Sequence, residues 1–389
     1  MTDPTLPAET DLLIVGAGPY GLGIAAYAKT LGVDPLVVGR PMAFWREDMP
    51  HGMFLRSSWD WQYDPNNVNT IETWLRETGR SKESIDPFPL ADYIEFATWF
   101  EVVSGVSPVD LAIQRIDLRP DGRYDAVFVD GSIVTAKNVV LALGFAYFDY
   151  VPEELQVILP AENVVHTVHY VDFSDAPGQR YAIVGGRQSA YEWAALLHEA
   201  GAASVDVIHR HRTPRFVPAD WSWTTPVVER IATEPQWFRE LDDAQKRKVA
   251  FRLWIEGRSK LEPWLAPRIA HRNVRSRPGR TIGGSEVGPG GEIGLTLDNA
   301  DRLDVDKVVL ATGYRTDIQN VPMLAAGNIL EHIESANGSP VLDSTFQMST
   351  PGLYATSMMA TSEFGPLFAF TVAVRASSRV VADAVRQRR

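Results

Sequence analysis

The segment DLLIVGAGPYGLGIAAYAKTLGV, residues 11–33, carries the pattern that decides the fold. A short apolar run leads into three glycines at the spacing G-x-G-x-x-G, and an apolar helical pattern follows at once. In such a unit Gly16 permits a tight turn, Gly18 lets the backbone approach a pyrophosphate, and Gly21 allows the helix to pack closely on the strand. The unpaired N–H groups at the start of the helix favour phosphate. The segment therefore predicts a strand, a turn and a helix that bind a dinucleotide.

A second segment, YAIVGGRQSAYEWAALL at residues 181–197, repeats this layout with one change. Gly185 supplies the turn and Ala190 stands at the third glycine position, but Arg187 replaces the middle glycine. A side chain there crowds a pyrophosphate that lies on the backbone. Three interpretations stay open: Arg187 pairs with a phosphate through its guanidinium, it occupies the site and excludes the nucleotide, or the segment is only a structural turn.

Basic side chains follow this second unit by about 20 residues, where an NAD site presents an acidic residue. The strand VDVIHRHR, residues 205–212, ends in cations that suit the 2′-phosphate of NADPH, although a solvated basic loop is the simpler alternative. We therefore favour an NADPH site. Its predicted residues are Gly185, Gly186, Arg187, Gln188, Ser189 and Arg210.

Two further segments, residues 126–145 and 293–314, resemble each other. Each has the pattern of strands that close at Ala-x-Gly followed by an aromatic residue, and the second glycine unit lies between them. This order predicts an α/β protein with two Rossmann-like dinucleotide-binding domains, one inserted into the other. The predicted boundaries are 1–150 for the first part of the outer domain, 151–309 for the inserted domain with a Trp-rich helical stretch, and 310–389 for the return of the chain.

Composition excludes several kinds of protein. The chain has 389 residues, which exceeds one ordinary hydrophobic core, and a formal net charge of −12, which disfavours nucleic-acid and anionic-membrane partners. It contains no cysteine, so thiol nucleophiles, dithiol relays and thiolate metal centres are excluded, and we predict no metal. The N-terminal MTDPTLPAETD lacks a signal-peptide pattern. We expect a cytoplasmic protein without a membrane partner.

Five stretches carry a family resemblance: GAGPYGL, FWREDMPHGMFLRSSW, VGGRQSAYE, LATGY and PGLYATSMMATSEFGPL. With them the chain resembles flavoproteins that have two dinucleotide-binding domains, and among these the flavin-containing and N-hydroxylating monooxygenases. The resemblance spans nearly the whole chain. It implies that the outer domain binds FAD and that the inserted domain binds NADPH.

The resemblance also implies particular contacts. Gly365, Pro366 and Leu367 are expected to stand at a helix start beside the flavin ring. The acidic residue that binds the adenosine ribose is absent, because the sequence reads Gly39-Arg40 there, and Glu47 is a candidate substitute. The residues assigned to the cofactors outside the second glycine unit are Gly16, Gly18, Pro19, Tyr20, Gly21, Arg40, Trp45, Arg46, Met53, Leu55, Arg56, Ser57, Thr312, Gly313, Tyr314, Gly365, Pro366 and Leu367.

The chemistry that the resemblance implies needs no catalytic acid or base from the protein. A flavin C4a-hydroperoxide formed from NADPH, FAD and O2 oxygenates a small molecule, by N-hydroxylation or a related heteroatom or ring oxygenation, and the protein excludes water. Candidates for a dry aromatic wall are two pairs, Trp59 with Trp61 and Trp221 with Trp223, and capping of a core is the structural alternative. The sequence identifies no catalytic residue. The candidates are Ser58, Trp59 and Asp60.

Two other functions stay open. One is an FAD-dependent NAD(P)H dehydrogenase or reductase that transfers no oxygen. The other is a non-catalytic nucleotide-binding flavoprotein, for which the lost glycine at Arg187 and the lost acid near Arg40 are the arguments. The expected partners are a small-molecule substrate and O2, and the sequence leaves open whether the chain forms a homo-oligomer.

Overall fold

The computed structural model describes residues 6–388. Residues 1–5, part of the N-terminal segment predicted to lack a signal peptide, and residue 389 lie outside the described residues. The first part of the chain contains these elements: β1 (Glu9–Val15), α1 (Pro19–Thr30), β2 (Pro35–Val38), α2 (Ala43–Glu47), β3 (Phe54–Leu55), α3 (Ile71–Glu77), β4 (Phe88–Pro89), α4 (Leu90–Ser104), β5 (Ile113–Leu118), β6 (Tyr124–Phe128) and β7 (Ile133–Leu141).

The inserted part has its own elements. They are α5 (Glu153–Ile158), β8 (Val164–His166), β9 (Arg180–Val184), α6 (Gln188–Glu199), β10 (Ser204–His209), β11 (Arg215–Phe216), α7 (Thr224–Thr233), α8 (Trp237–Glu240), α9 (Asp243–Leu253), the π-helical turn Trp254–Arg258, β12 (Lys260–Leu261), α10 (Leu265–Ile269), β13 (Val274–Pro278), β14 (Ile282–Val287), β15 (Ile293–Leu297), β16 (Arg302–Val305) and β17 (Lys307–Leu310). Hereafter the π turn means Trp254–Arg258.

The C-terminal part completes the list. It contains α11 (Pro322–Ala325), β18 (Ser335–Ala336), β19 (Ser339–Pro340), β20 (Leu353–Ala355), α12 (Thr361–Phe364) and α13 (Val374–Arg388).

Strand β7 organises the outer sheet. Along one edge it pairs in parallel with β1, which in turn pairs with β2. Along the other edge its first half pairs with β6 as a hairpin, and its last three residues pair in parallel with β20. Since β20 comes after the whole inserted part, the C-terminal segment returns to the sheet in which the chain began.

The inserted part forms a second, fully parallel sheet in the order β13-β10-β9-β17-β8. A separate antiparallel sheet, β14-β15-β16, packs beside it. The structure is therefore two Rossmann-like units, one inserted into the other. Among residues 6–388, no helix combines the length and apolarity needed to span a membrane.

Two short helical turns precede the last helix. Gly365, with φ of +95°, ends α12, and Pro366 opens a 3-10 turn that ends at Ala369. A second 3-10 turn follows before α13 begins at Val374. Gly365, Pro366 and Leu367 thus stand at the start of a 3-10 helical turn, and the two 3-10 turns separate them from α13.

The first turn requires glycine at two positions for packing. Gly16 has φ of +110°, and a Cβ there would lie 2.4 Å from the carbonyl oxygen of Ala142 at the end of β7. A Cβ on Gly21 would lie 1.9 Å from the carbonyl oxygen of Gly16. By contrast, a Cβ on Gly18 would meet nothing within 4 Å. The outer glycines therefore let β1, α1 and β7 approach one another, while the middle one faces open space.

Gly21→Ala tests this packing. Because the added methyl group would meet backbone, we expect a loss of at least about 1–3 kcal/mol in the free energy of unfolding, measured by urea denaturation followed by circular dichroism. Gly284→Ala is the matched control, since nothing lies within 4 Å of its Cβ position. Its effect is expected to stay within about 0.5 kcal/mol. Equal losses in the two variants would contradict the packing argument.

Candidate functional site

Both glycine turns open into one cavity of about 600 Å³. The turn after β1 contributes Gly16, Gly18 and Pro19, and the turn after β9 contributes Arg187 and Ser189. The fold thus brings together two motifs that are about 170 residues apart along the chain. The predicted cofactor residues that line the cavity are Gly16, Gly18, Pro19, Tyr20, Arg40, Trp45, Met53, Leu55, Arg56, Ser57, Arg187, Gln188, Ser189 and Tyr314.

The start of α1 is arranged to receive an anion. Gly18 is its N-cap residue and Pro19 follows inside the first turn, and no side chain caps the exposed N–H groups. These groups and the positive end of the helix dipole face the space that Gly18 leaves open. The Thr371 hydroxyl is buried in the cavity wall. It lies close enough to Tyr93 to influence the pKa of that phenol. Within residues 6–388 it makes no hydrogen bond of ordinary geometry. A dinucleotide with a polar ring system fits these features.

Tyr20 connects this turn to the distant C-terminal segment. Its hydroxyl donates to the carbonyl oxygens of Phe368 at 2.6 Å and Phe370 at 2.9 Å. The phenol is buried. The first turn of α1 therefore fixes the segment that leads into α13.

The residues predicted at the adenosine ribose are paired with each other. Arg40 Nη1 lies 2.5 Å from Glu47 Oε1, and Arg40 Nε lies 3.5 Å from Asp110 Oδ2. The side chains of Arg40 and Glu47 are 57% and 45% exposed, so the pair contributes little to stability. Glu47, the proposed substitute for the missing acid, is thus engaged by Arg40.

The second turn shows how an arginine replaces glycine without strain. Arg187, the N-cap residue of α6, has φ of −111° and ψ of −170°. Gly18, at the same place before α1, has φ of −89° and ψ of −172°. Both conformations are extended, and any residue can adopt them. The glycine at this position of the motif is therefore needed for space beside the backbone, not for its dihedral angles.

Two further residues of the second turn, Gly185 and Gly186, do need to be glycine. Gly185 has φ of +142°, and a Cβ there would lie 2.5 Å from the carbonyl oxygen of Ala311. A Cβ on Gly186 would lie 2.4 Å from the ring of His209. That ring is buried and hydrogen-bonds with the Tyr191 hydroxyl. An imidazole thus packs against the turn at the end of β10, the position where an NAD site presents its acid.

The guanidinium of Arg187 turns towards the π turn. It donates to the carbonyl oxygen of Arg258 and lies 5.7 Å from the ring centroid of Trp254. Burial, and secondarily the charge of Arg258, lowers the pKa of Arg187. Within residues 6–388 no carboxylate forms a salt bridge with this guanidinium. An anion in the cavity would therefore be attracted to it.

Arg56 binds the same π turn from the outer domain. Its Nε donates to Glu262 Oε1 at 2.9 Å, and its Nη2 donates to the carbonyl oxygens of Glu256 and Lys260, each at 2.9 Å. Its Nη1 donates to the carbonyl oxygen of Gly257. Four of the five N–H groups of this guanidinium thus donate within the protein. Arg56 lines the cavity and also joins the two domains.

Only one tryptophan of each predicted pair lines the cavity. Trp61 and Trp221 line the cavity, and their ring centroids are 5.5 Å apart. Trp59 instead lies under the Lys82 ammonium, 4.6 Å from it. Trp223 is buried beneath the guanidinium of Arg252 at 5.0 Å. One member of each pair therefore belongs to the site.

Other predicted residues lie outside the cavity lining. Ser58 donates to Asp60, and the two form a local turn. Arg46 donates to Thr98 on α4 at 3.1 Å, and Arg210 is exposed. The remaining predicted cofactor residues outside the lining are Gly21, Gly185, Gly186, Thr312, Gly313, Gly365, Pro366 and Leu367.

Sequence reasoning missed several residues of the lining, above all Phe44, Phe145, Phe370 and Thr371. A signal existed for Phe145, which follows Ala-x-Gly after β7 as Tyr314 follows Ala-x-Gly after β17. The rings of these two residues are 4.7 Å apart. The matching position of the two aromatic residues in similar segments was therefore a sequence signal for this contact. In the described part of the chain, no cluster of His, Asp and Glu is arranged to hold a metal ion.

Comparisons with known proteins agree with this architecture. The sequence profile of the pyridine nucleotide-disulphide oxidoreductases matches residues 13–236. An FAD-dependent urate hydroxylase from Xanthomonas campestris pv. campestris is 24% identical over 335 residues, covering 81% of this chain and 68% of that protein. A ferredoxin–NADP reductase from Paraburkholderia phymatum is 27% identical over 218 residues, or 52% of each chain.

Two solved structures superpose over nearly the whole chain. The ornithine N-hydroxylase from Kutzneria sp. 744 has a TM-score of 0.78 at 18% identity, covering 97% of this chain and 99% of that chain. The L-lysine 6-monooxygenase from Pseudomonas syringae has a TM-score of 0.70 at 17% identity, with the same coverages. At these identities the likeness establishes the fold, and it confirms the predicted class.

Arg56→Met tests the junction between the domains. Burial raises the pKa of Glu262 despite the attraction of Arg56, so removing the cation leaves a carboxylate in an unfavourable place. We expect a loss of about 3–5 kcal/mol in unfolding free energy. The double variant Arg56→Met/Glu262→Met is expected to be more stable than Arg56→Met, as measured by urea denaturation.

Arg302→Met is the control for this pair. Arg302 and Glu286 form an ion pair whose side chains are 55% and 63% exposed, so the expected loss is below about 1 kcal/mol. A double variant at residues 56 and 262 that is no more stable than Arg56→Met would show that the Glu262 carboxylate is not the source of the effect.

Proposed function

The chain belongs to the pyridine nucleotide-disulphide oxidoreductase family, and from this premise we propose that it is an NADPH- and FAD-dependent monooxygenase of a small molecule. One observation carries the proposal: two glycine turns, each at the start of a helix, open into the same cavity of about 600 Å³. Two dinucleotides bound there would have their reactive ends next to each other. The relatives named as a urate hydroxylase and an ornithine N-hydroxylase support the oxygenase assignment.

The absence of cysteine separates this chain from the dithiol members of its family. A redox-active disulfide needs two thiols, and the sequence contains none. Electrons delivered by NADPH must therefore leave through the flavin alone. A second candidate function is a reductase that transfers no oxygen. The similarity to a ferredoxin–NADP reductase supports it, and the alignment covers about half of that protein.

The described residues divide the binding tasks. The uncapped start of α1 and the open face of Gly18 would hold the FAD pyrophosphate, and Thr371 would offer its unpaired hydroxyl to the ring system. At the second turn, Gln188 and Ser189 line the cavity beside Arg187. The uncompensated charge of Arg187 suits the phosphates of NADPH, which makes it a ligand and not an obstruction.

FAD, when bound, supplies the redox chemistry, which is acceptance of a hydride from NADPH and activation of O2. The protein positions the surrounding segments and excludes water from the cavity. Tyr20 holds the segment around Phe370 against the first turn through its two hydrogen bonds. Trp61, Trp221 and Phe370 line the cavity with apolar rings that exclude water, which protects a reactive oxygen species from loss.

Gly18→Trp is expected to give a folded but colourless protein. The indole would fill the space next to the backbone where the pyrophosphate must lie, so flavin absorbance of the purified protein should be lost while its circular dichroism is retained. Gly284→Trp, a change in β14 away from the cavity, is expected to stay yellow. A Gly18→Trp protein with full flavin content would refute the assignment of the first turn.

Arg187→Gly decides among the three interpretations of this residue. Loss of a charge-assisted contact is expected to weaken NADPH binding by roughly tenfold or more, measured by titration of the oxidised holoenzyme. Arg187→Met, which keeps bulk without charge, should behave in the same way. If Arg187→Gly binds NADPH as well as or better than the parent protein, the side chain obstructs the site.

The proposed activity is tested in two stages. NADPH added without oxygen is expected to bleach the flavin, and persistence of the yellow colour would favour a non-catalytic protein. With isotope-labelled O2 and a substrate found by stimulated NADPH oxidation, one labelled atom should enter the product. Reduction of the flavin with transfer of electrons to an acceptor, but with no label in any product, would favour the reductase.

A further inference from the structure

Three aromatic rings meet at the junction between the domains. The centroid of Trp61 lies 5.5 Å from that of Trp221 and 6.3 Å from that of Phe370, and both contacts are edge-to-face. The centroids of Trp221 and Phe370 are 6.3 Å apart. All three residues line the cavity. We call Trp61, Trp221 and Phe370 the aromatic floor.

The floor is preformed and belongs to no single segment. Trp61 lies in the loop after β3, Trp221 lies before α7 in the inserted part, and Phe370 lies between the two 3-10 turns that precede α13. Trp61 is only 4% exposed, and the carbonyl group of Phe370 accepts a hydrogen bond from Tyr20. Correct packing of both domains is therefore needed to build this surface.

The cations that line the cavity are already engaged. Arg40 pairs with Glu47, and Arg56 donates to Glu262 and to three carbonyl groups of the inserted part. Arg187 is assigned to NADPH by the proposed function. A substrate carboxylate would therefore find no unassigned cation among the described residues of the lining.

The carboxylates of the lining are equally unsuited to an ammonium group at the floor. Glu192 Oε1 lies 2.8 Å from Arg268 Nη1 and is thus neutralised. Asp48 lies near Tyr314, whose pKa is raised by burial and then by the charge of Asp48. The ring of Tyr314 contacts Phe44, Phe145 and His166 and none of the three floor rings. Burial, and then the charge of Glu47, raises the pKa of Asp48. An ammonium group bound beside Asp48 would therefore lie away from the three floor rings.

Flat apolar rings surrounded by paired charges suit one kind of ligand. We propose that the aromatic floor binds an uncharged, planar aromatic or heteroaromatic ring, and that such a ring is the substrate. The proposal rests on the proposed monooxygenase function, and it departs from the aliphatic amines named for the structural neighbours. Stacking and edge-to-face contacts with the floor would supply affinity without any counter-ion.

The corresponding reaction balances with the proposed co-reactants. A ring C–H, O2, NADPH and one proton give a ring C–OH, NADP⁺ and water. The O–O bond breaks, a C–O bond forms, and the ring hydrogen leaves as a proton while the product keeps a hydroxyl group. Two electrons come from NADPH and two from the ring, which together reduce both atoms of O2.

Binding is measured first, on the oxidised holoenzyme without NADPH. The uncharged probes are phenol, indole and hypoxanthine, and the charged probes are ornithine, lysine and cadaverine. We expect at least one uncharged ring, and none of the aliphatic amines, to perturb the flavin spectrum and quench tryptophan fluorescence saturably. If no uncharged ring binds, or if an amine binds more tightly than every ring, the proposal is overturned.

Variants of the floor locate the site. Trp221→Leu and Phe370→Leu are expected to raise the Kd of the bound ring by roughly tenfold, and Trp221→Phe is expected to restore most of the affinity. Trp59→Leu is the matched control, because Trp59 lies outside the cavity lining, and its Kd should match that of the parent protein. Unchanged affinity in both Leu variants, with flavin content retained, would place the ring elsewhere and overturn the proposal.

The two proposals fail in distinguishable ways. Flavin that NADPH bleaches, together with labelled oxygen in an amine product, would keep the monooxygenase and overturn the aromatic substrate. Loss of amine turnover in Asp48→Asn would then identify the competing site. Absence of flavin, or flavin that NADPH does not reduce, would end the proposed function itself.

Discussion

Helix α1 packs directly against the turn that follows β1, because no side chain separates the helix from that turn. A Cβ on Gly21 would lie 1.9 Å from the carbonyl oxygen of Gly16, so this packing exists only with glycine. The close approach points an uncapped helix start into the cavity, where its N–H groups and dipole favour an anion. It also sets the position of Tyr20, whose hydroxyl holds the segment with Phe370. The cofactor turn and the aromatic floor thus depend on the same contact.

The relation between the two domains depends on a second constraint, the carbonyl groups of the π turn that follows α9. Carbonyl oxygens at a helix C-terminus lack partners within the helix and carry the negative end of its dipole. Two guanidinium groups satisfy them: Arg56 from the outer domain and Arg187 from the second glycine turn. Since the two arginines bind neighbouring carbonyl groups, the π turn is held against the second glycine turn and against the segment that follows β3. Hydrogen bonds to one short segment therefore help to join the outer domain to the second nucleotide site.

The departures from the family pattern are tolerated for local reasons. The backbone at Arg187 is extended, so a side chain there costs no strain, and its guanidinium has a carbonyl group to bind. The acid missing from the end of β2 leaves Arg40 to pair with Glu47. What results is a cavity in which most charges of the lining are matched inside the protein. Its apolar rings are then left to determine which molecules it accepts.

The sequence alone determined the α/β class, the two glycine turns and the insertion of one Rossmann-like unit into the other. The glycine turns depend on contacts within a few residues, such as the spacing of Gly16, Gly18 and Gly21, and a local pattern reveals them. The insertion was indicated by the similarity between residues 126–145 and 293–314 on either side of the second glycine unit. The tertiary structure alone decided where side chains point. Arg56 finds its partners about 200 residues along the chain, and Trp61 meets Trp221 about 160 residues along the chain. No local pattern specifies such partners, because the energy of a buried charge or ring depends on which distant groups the completed fold places beside it.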